Sequence, residues 1–273
     1  YLFGSNQFGG GVSNAHNGVM AYEHAYQGVE ARKAYFFMGD AMVCMGSGIK
    51  AARTQEVRTS VNQCLANGEV TYGLSGHTYR LTNNLSDKNI DWAYHDNVGY
   101  IFPQNESVTL RKAKQTGAWR ELEVTASDKP VTKEIFSLWV SHGTTPQHED
   151  YCYIIMPDKP LSYFTDKKFE NEIKIIVNSE QIQAISNENK RQYAAVFYEP
   201  GEIRFAEDLV VAVNKKVIIY IEKKDKQYEI AVADPLYKEQ SLQLSMNGEQ
   251  INIVFPSGDY SGSSVIKHIT EKH

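Results

Sequence analysis

The stretch "KAYFFMGDAMVCMGSGIK", residues 33–50, sets the tightest limit on what this chain can fold into. Two apolar runs, 34–38 and 41–45, are broken by Gly39 and Asp40. Gly-Asp between apolar runs is tight-turn chemistry, because glycine supplies the positive φ that a short hairpin requires. Neither run alternates strictly between apolar and polar residues. That fits antiparallel strands covered on both faces, inside a large sheet or between two layers. Methionine and alanine also favour helices, but glycines at 39, 46 and 48 argue against one here.

The same grammar runs through the chain. Residues 19–32 read as a strand, a turn at Gln27 and Gly28, and a second strand. "RTSVNQC" and "GEVTYGL" are separated by Asn67 and Gly68, a strong hairpin signal. "WAYHDNVGYIFP" reads as two strands around Asp96 and Asn97, and "SVTLRKAKQTGAWREL" as an alternating run with a turn at Thr116 and Gly117. Strands follow at 133–143 and 150–157. No amphipathic helix of three turns is present; the best helical candidate, 164–172, reads as a connector. From 173 the strands are shorter and more regular, with turns at Asn214 and Lys215, Asp225 and Lys226, and Asn247 and Gly248. Regular short strands of this kind predict a compact β sandwich. The expected fold is therefore all-β and antiparallel, with a larger assembly over 1–172 and a smaller sandwich over 173–273.

Composition removes several classes of partner. The 273 residues carry a net charge of −5, so nucleic acid is not expected. No apolar run approaches the roughly 18 residues of a membrane span, and no signal-peptide pattern is visible at the start. Cys44, Cys64 and Cys152 form no CxxC pair and read as small buried hydrophobes rather than a disulfide framework. The 17 tyrosines, many beside β-branched residues, are a sheet composition.

Few motifs carry chemistry. "MGSGIK" lacks the spacing of a phosphate loop. "HEDYC", 148–152, reads as a solvated turn before a strand, and His95 with Asp96 reads as a turn or surface loop with no nucleophile elbow nearby. "GSNQFGGGVSN", 4–14, is the most unusual piece. Its three glycines permit close backbone approach, and the amides of Asn6, Gln7 and Asn14 can each donate and accept hydrogen bonds, which suits sugar hydroxyls. The alternative is a seam between domains, with the amides paired to backbone.

Taken in order, "GSNQFGGGVSN", "KAYFFMGDAMVCMGSGI", "TSVNQ", "HDNVGYIFP", "LWVSHG", "YCYIIMP" and "VADPLYKE" resemble the β-sheet portion of polysaccharide lyases of family 8. That family includes the chondroitin AC, hyaluronate and xanthan lyases, and the likeness is closest to chondroitin AC lyase. It implies an α/α toroid, a central antiparallel β supersandwich and a C-terminal β domain, with this chain starting partway into the supersandwich. It implies β-elimination at a uronic acid of chondroitin sulfate or hyaluronan, by a secreted or periplasmic bacterial enzyme. The expected partners are an acidic polysaccharide and the N-terminal toroid half of the same enzyme. The catalytic groups of the family sit upstream, so no catalytic residue is assigned here, and no metal or cofactor. Tyr1 and Phe3 are the nearest aromatics to a sugar-stacking position in relatives and join Asn6, Gln7 and Asn14 as substrate-binding candidates. His95, Tyr100 and His142 are set aside as structural. The competing expectation is a non-catalytic carbohydrate-binding or structural β module.

Overall fold

Turn chemistry decides the local pairing. Gln27 and Gly28 both take positive φ, 51° and 73°, and join Gly18–Tyr26 to Val29–Met38. Gly39, at φ 57°, returns the chain into Ala41–Ala51. Asp96 and Asn97, at 50° and 61°, join Trp92–His95 to Val98–Ile101. The computed structural model describes residues 6–52, 54–104 and 106–271. Tyr1 and Phe3 lie outside the described residues.

Four antiparallel sheets result among the described residues. The nine-stranded sheet runs, edge to edge, Gly9–Ser13, Gly18–Tyr26, Val29–Met38, Ala41–Ala51, Glu149–Pro157, Val98–Ile101, Trp92–His95, Val70–Leu74 and His77–Arg80. A flanking four-stranded sheet is built from Arg58–Leu65, Val131–Ser141, Val108–Gly117 and Leu85–Lys88. The six-stranded sheet is Lys174–Asn178, Ile182–Asn187, Gln192–Phe197, Val217–Lys224, Gln227–Ala233 and Val265–Thr270. The outer four-stranded sheet is Gly201–Ala206, Leu209–Val213, Ser241–Met246 and Glu249–Val254.

The sheets stack in the order flanking, nine-stranded, six-stranded, outer, with three apolar cores between them. Phe136, Leu138 and Val140 meet Cys44, Tyr100, Tyr151 and Tyr153 in the first. Ala34, Phe36, Val43 and Met45 meet Val196, Ile218 and Tyr220 in the second. Ala195, Phe197, Ile219 and Ile221 meet Leu209, Val211, Leu242 and Leu244 in the third. Strands at the centre of the two inner sheets are therefore buried on both faces. This is why 41–45 and 192–197 show no alternation: every residue from Gln192 to Phe197 is buried. Gly46 belongs to the same packing, since a Cβ there would lie 2.1 Å from the Tyr151 ring.

Several expectations need correction. Asn67 and Gly68 close no hairpin; they turn the chain from the flanking sheet into the nine-stranded one. Thr116 and Gly117 lie inside the strand Val108–Gly117, paired with Thr132 and Val131, and the connection follows later. Asn214 and Lys215 lead from the outer sheet to the six-stranded one rather than between paired neighbours. The helix is a five-residue turn at Leu161–Thr165, earlier than 164–172, and its Phe164 packs against Trp92 and Tyr94. His95 is no surface residue: it is 1% exposed and stacks on Phe136 at 4.4 Å. The C-terminal strands do form a sandwich, but one face of it shares its core with the nine-stranded sheet.

Candidate functional site

The glycine-rich start forms an edge strand seated on the C-terminal strands. Phe8 is buried and packs on the Tyr198 ring at 4.7 Å. Gly9 N–H donates to the Pro235 carbonyl at 3.1 Å. Gly10 faces the same residue so closely that a Cβ would lie 3.3 Å from Pro235 Cα. Ser13 N–H donates to Ser264 Oγ at 3.0 Å. The close approach that three glycines allow is made by the protein's own chain.

Asn14 is a turn lock and has no polar atom left for a sugar. Its Oδ1 accepts from the N–H groups of His16 (3.2 Å) and Asn17 (2.9 Å). Its Nδ2 donates to Glu229 Oε1 at 2.7 Å and to Glu222 Oε2 at 3.3 Å. Asn6 and Gln7 differ, because both side chains are exposed. Gln7 Oε1 accepts from Lys238 Nζ at 3.0 Å, which leaves its amide N–H groups facing water.

Two concavities flank this segment. Asn6 lines a cavity of about 210 Å³ with Glu23, Glu30, Arg32, Lys50 and Glu180. Both cations there are engaged: Lys50 pairs with Glu30 at 2.8 Å, Arg32 with Glu23 at 3.5 Å, and Arg32 also donates to the Glu180 carbonyl. The larger concavity is an open trough of about 610 Å³ along Gly10–Val12 and the facing strand, with Met20, Tyr22 and Phe37 as its apolar wall. Met20 and Phe37 are 47% and 44% exposed, and Tyr22 stacks on Tyr35 with centroids 6.4 Å apart. An open wall of aromatic and apolar side chains with polar groups at its rim suits the C–H faces of sugar rings. The sequence signal for this wall is the alternation of Met20 and Tyr22 with Val19 and Ala21.

The residues set aside as structural do not assemble a reaction centre. Tyr100 is buried, accepts a hydrogen bond from Asn62 Nδ2, and is pushed up to about 12 mainly by burial. His95 packs on the same Phe136 ring, and its burial lowers it. His142 shares a hydrogen bond of 2.8 Å with Thr59 Oγ1 and is lowered to about 4 by burial and the nearby Lys33 charge. No cluster of three His, Cys, Asp or Glu side chains suited to a metal ion exists among the described residues. No helix among the described residues is long and apolar enough to cross a membrane.

Residues 1–168 match the super-sandwich domain of polysaccharide lyase family 8, and residues 174–243 match the C-terminal beta-sandwich domain of the same family. The chain belongs to polysaccharide lyase family 8. Among its family 8 relatives, chondroitinase-AC of Pedobacter heparinus is 31% identical over 96% of this chain and 38% of its own length. Hyaluronate lyase of Thermasporomyces composti is 24% identical over 86% of this chain and 30% of its own. A solved chondroitinase AC lyase superposes with a TM-score of 0.90 at 29% identity, covering 97% of this chain and 40% of that one. The Paenibacillus xanthan lyase shares the fold, with a TM-score of 0.85 at 19% identity over 98% of this chain and 29% of its own. This family 8 chain thus spans about two fifths of its chondroitinase-AC relative.

Proposed function

We propose that these residues are the β portion of a lyase that cleaves chondroitin sulfate or hyaluronan by β-elimination at uronic acid. Residues 1–172 contribute part of the central supersandwich and 173–273 the C-terminal sandwich. The reaction removes the C5 proton, breaks the bond from C4 to the leaving oxygen, and leaves a C4–C5 double bond. It needs a group to neutralise the uronate carboxylate, a base and an acid, held together at the substrate. The reading assigns all three to an N-terminal helical toroid outside these residues. Asn6 and Gln7 offer hydrogen-bonding groups to sugar, and Tyr1 and Phe3, a few positions earlier in the sequence, are the stacking candidates. The same reading puts the enzyme outside the cell or in the periplasm of a bacterium, where such polymers are met.

The observation that carries this proposal is the family match over both β domains by a chain that spans 38% of its chondroitinase-AC relative. The test is turnover of chondroitin sulfate and hyaluronan, followed as unsaturated-uronate absorbance. The 273-residue chain alone should be inactive, and adding a toroid half that docks should restore cleavage. Asn6→Ala and Gln7→Ala in that complex should raise KM more than they lower kcat. Robust cleavage by the isolated chain would overturn the placement of the reacting groups.

A further inference from the structure

Where Gly18–Tyr26 and Val29–Met38 run out from under the flanking sheet, a cleft of about 410 Å³ opens. Its size is that of a small-ligand pocket. Four basic side chains line it: His24, Lys33, Arg58 and His142. A single carboxylate lines it, Glu56, and that carboxylate is already committed. Arg58 Nε donates to Glu56 Oε2 at 2.7 Å, and Ser141 Oγ donates to Oε1 at 2.5 Å. The Arg58 guanidinium lies over the Trp139 ring at 4.6 Å, so Arg58 and Glu56 hold each other in place.

His24, Lys33 and His142 are left with no anionic partner among the described residues. Lys33 and His24 share one face of adjacent strands, Lys33 standing opposite Tyr22, two residues before His24. Burial lowers Lys33 below the ordinary lysine range. Burial also lowers both histidines, and the Lys33 charge lowers them further. A desolvated ammonium with no counter-charge destabilises a fold, and the Lys33 charge together with burial favours the neutral form of both histidines. Among the described residues lining the cleft no free carboxylate offsets this; an anion entering the cleft would.

We propose that this cleft binds an oxyanion, the sulfate or carboxylate group of an acidic saccharide. The saccharide half of that statement rests on the lyase reading above; the oxyanion half does not. Lys33 supplies charge. His24 supplies a ring N–H, and His142, whose Nε2 is shared with Thr59, supplies Nδ1. The Tyr26 phenol stands among the lining groups. Because both histidines lose their proton easily in the empty cleft, a bound anion draws protons onto them. Affinity therefore rises as pH falls.

The experiment is calorimetric titration of the 273-residue chain with sodium sulfate, a 4-sulfated chondroitin disaccharide and its unsulfated counterpart, at pH 5.5 and 7.5. NMR titration of the His24 and His142 ring protons runs in parallel. We expect a disaccharide to bind about fivefold more tightly at the lower pH, chiefly through His24, and both histidine pKa values to rise by about one unit when it is bound. Binding of only the sulfated sugar identifies sulfate as the recognised group; binding of both identifies the carboxylate. Lys33→Met should weaken binding about tenfold and raise the unfolding midpoint, since it removes an uncompensated charge. His24→Gln, at a less buried position, gives the same readout with a smaller loss. Histidine titrations unmoved by any of the three ligands would overturn the oxyanion site. Binding of inorganic sulfate without either disaccharide would overturn the saccharide assignment. Neither readout involves turnover, so loss of the lyase reading leaves the oxyanion test intact.

Discussion

The strands Gly18–Tyr26 and Val29–Met38 have two faces with opposite fates. One face, Val19, Ala21, Ala34, Phe36 and Met38, is at most 2% exposed and closes on the six-stranded sheet. The other carries Met20, Tyr22, His24, Lys33 and Phe37, and the flanking sheet stops short of most of it. Both faces hold large apolar side chains at alternating positions. Only the covered one turns that content into stability, because a transfer free energy is gained only where water is removed. The uncovered face keeps its aromatics and cations available for another molecule.

The comparison breaks most directly at Phe36 and Phe37. Phe36 is 0% exposed and Phe37 is 44% exposed. Phe36→Ala should destabilise by about 3–5 kcal/mol, and Phe37→Ala by under about 1 kcal/mol, both read from denaturant midpoints. Equal losses would mean that the trough is covered in solution.

The next effect lies where the covered and open regions meet, at a cavity lined by Glu106, Ser107, His142 and Asp150. Glu106 Oε1 accepts from Cys152 N–H at 2.8 Å, while its buried Oε2 has no partner. Burial raises Glu106 from 4.5 to about 7. Its contribution is present below pH 4.5 and is lost as pH rises through about 7. His142 is lowered from 6.5 to about 4, so its contribution is present above pH 6.5 and is lost as pH falls through about 4. Between the two ordinary values the slopes oppose each other. Glu106→Gln should therefore leave a variant that gains stability with rising pH, and His142→Gln one that loses it. Each change should reach about 2–3 kcal/mol across that window, checked by chemical denaturation at several pH values. A flat profile in both variants would show that neither group is desolvated.

The smallest contrast is between two amides of the opening segment. Asn14→Ala removes two bonds to carboxylates and two to backbone, and should destabilise by about 1–2 kcal/mol. Gln7→Ala should change stability by less than about 0.5 kcal/mol, since its one bond is on the surface. Thermal unfolding of the two variants side by side decides it.

Much of the fold was legible because hairpins are local. Gln27 with Gly28, Asp96 with Asn97, and Asn247 with Gly248 have the side chains that tolerate positive φ, and each joins two paired strands. Asn67 and Gly68 have the same chemistry and a different result. Gly68 does take positive φ, 75°, but the strands on either side enter different layers. A dipeptide fixes the bend and cannot fix the partner. The candidate site was less legible for the same reason. Asn6, Gln7 and Asn14 look alike in sequence, yet Glu222 and Glu229, more than two hundred positions away, engage Asn14 and leave the other two exposed.

Residue order alone was enough to show that the chain is all-β, that its strands pair antiparallel, that its cysteines build no disulfide framework, and which family it belongs to. These rest on turn residues, apolar runs and motifs a few residues long. The tertiary structure decided the order of the four layers, the shared core that makes the C-terminal sandwich part of a larger stack, and which face of the early strands stays open. It also brought His24, Lys33 and His142 into one cleft, with no ion pair to a carboxylate among the described residues. Those outcomes depend on side chains brought together from distant segments, and such meetings follow from packing rather than from any local preference of the chain.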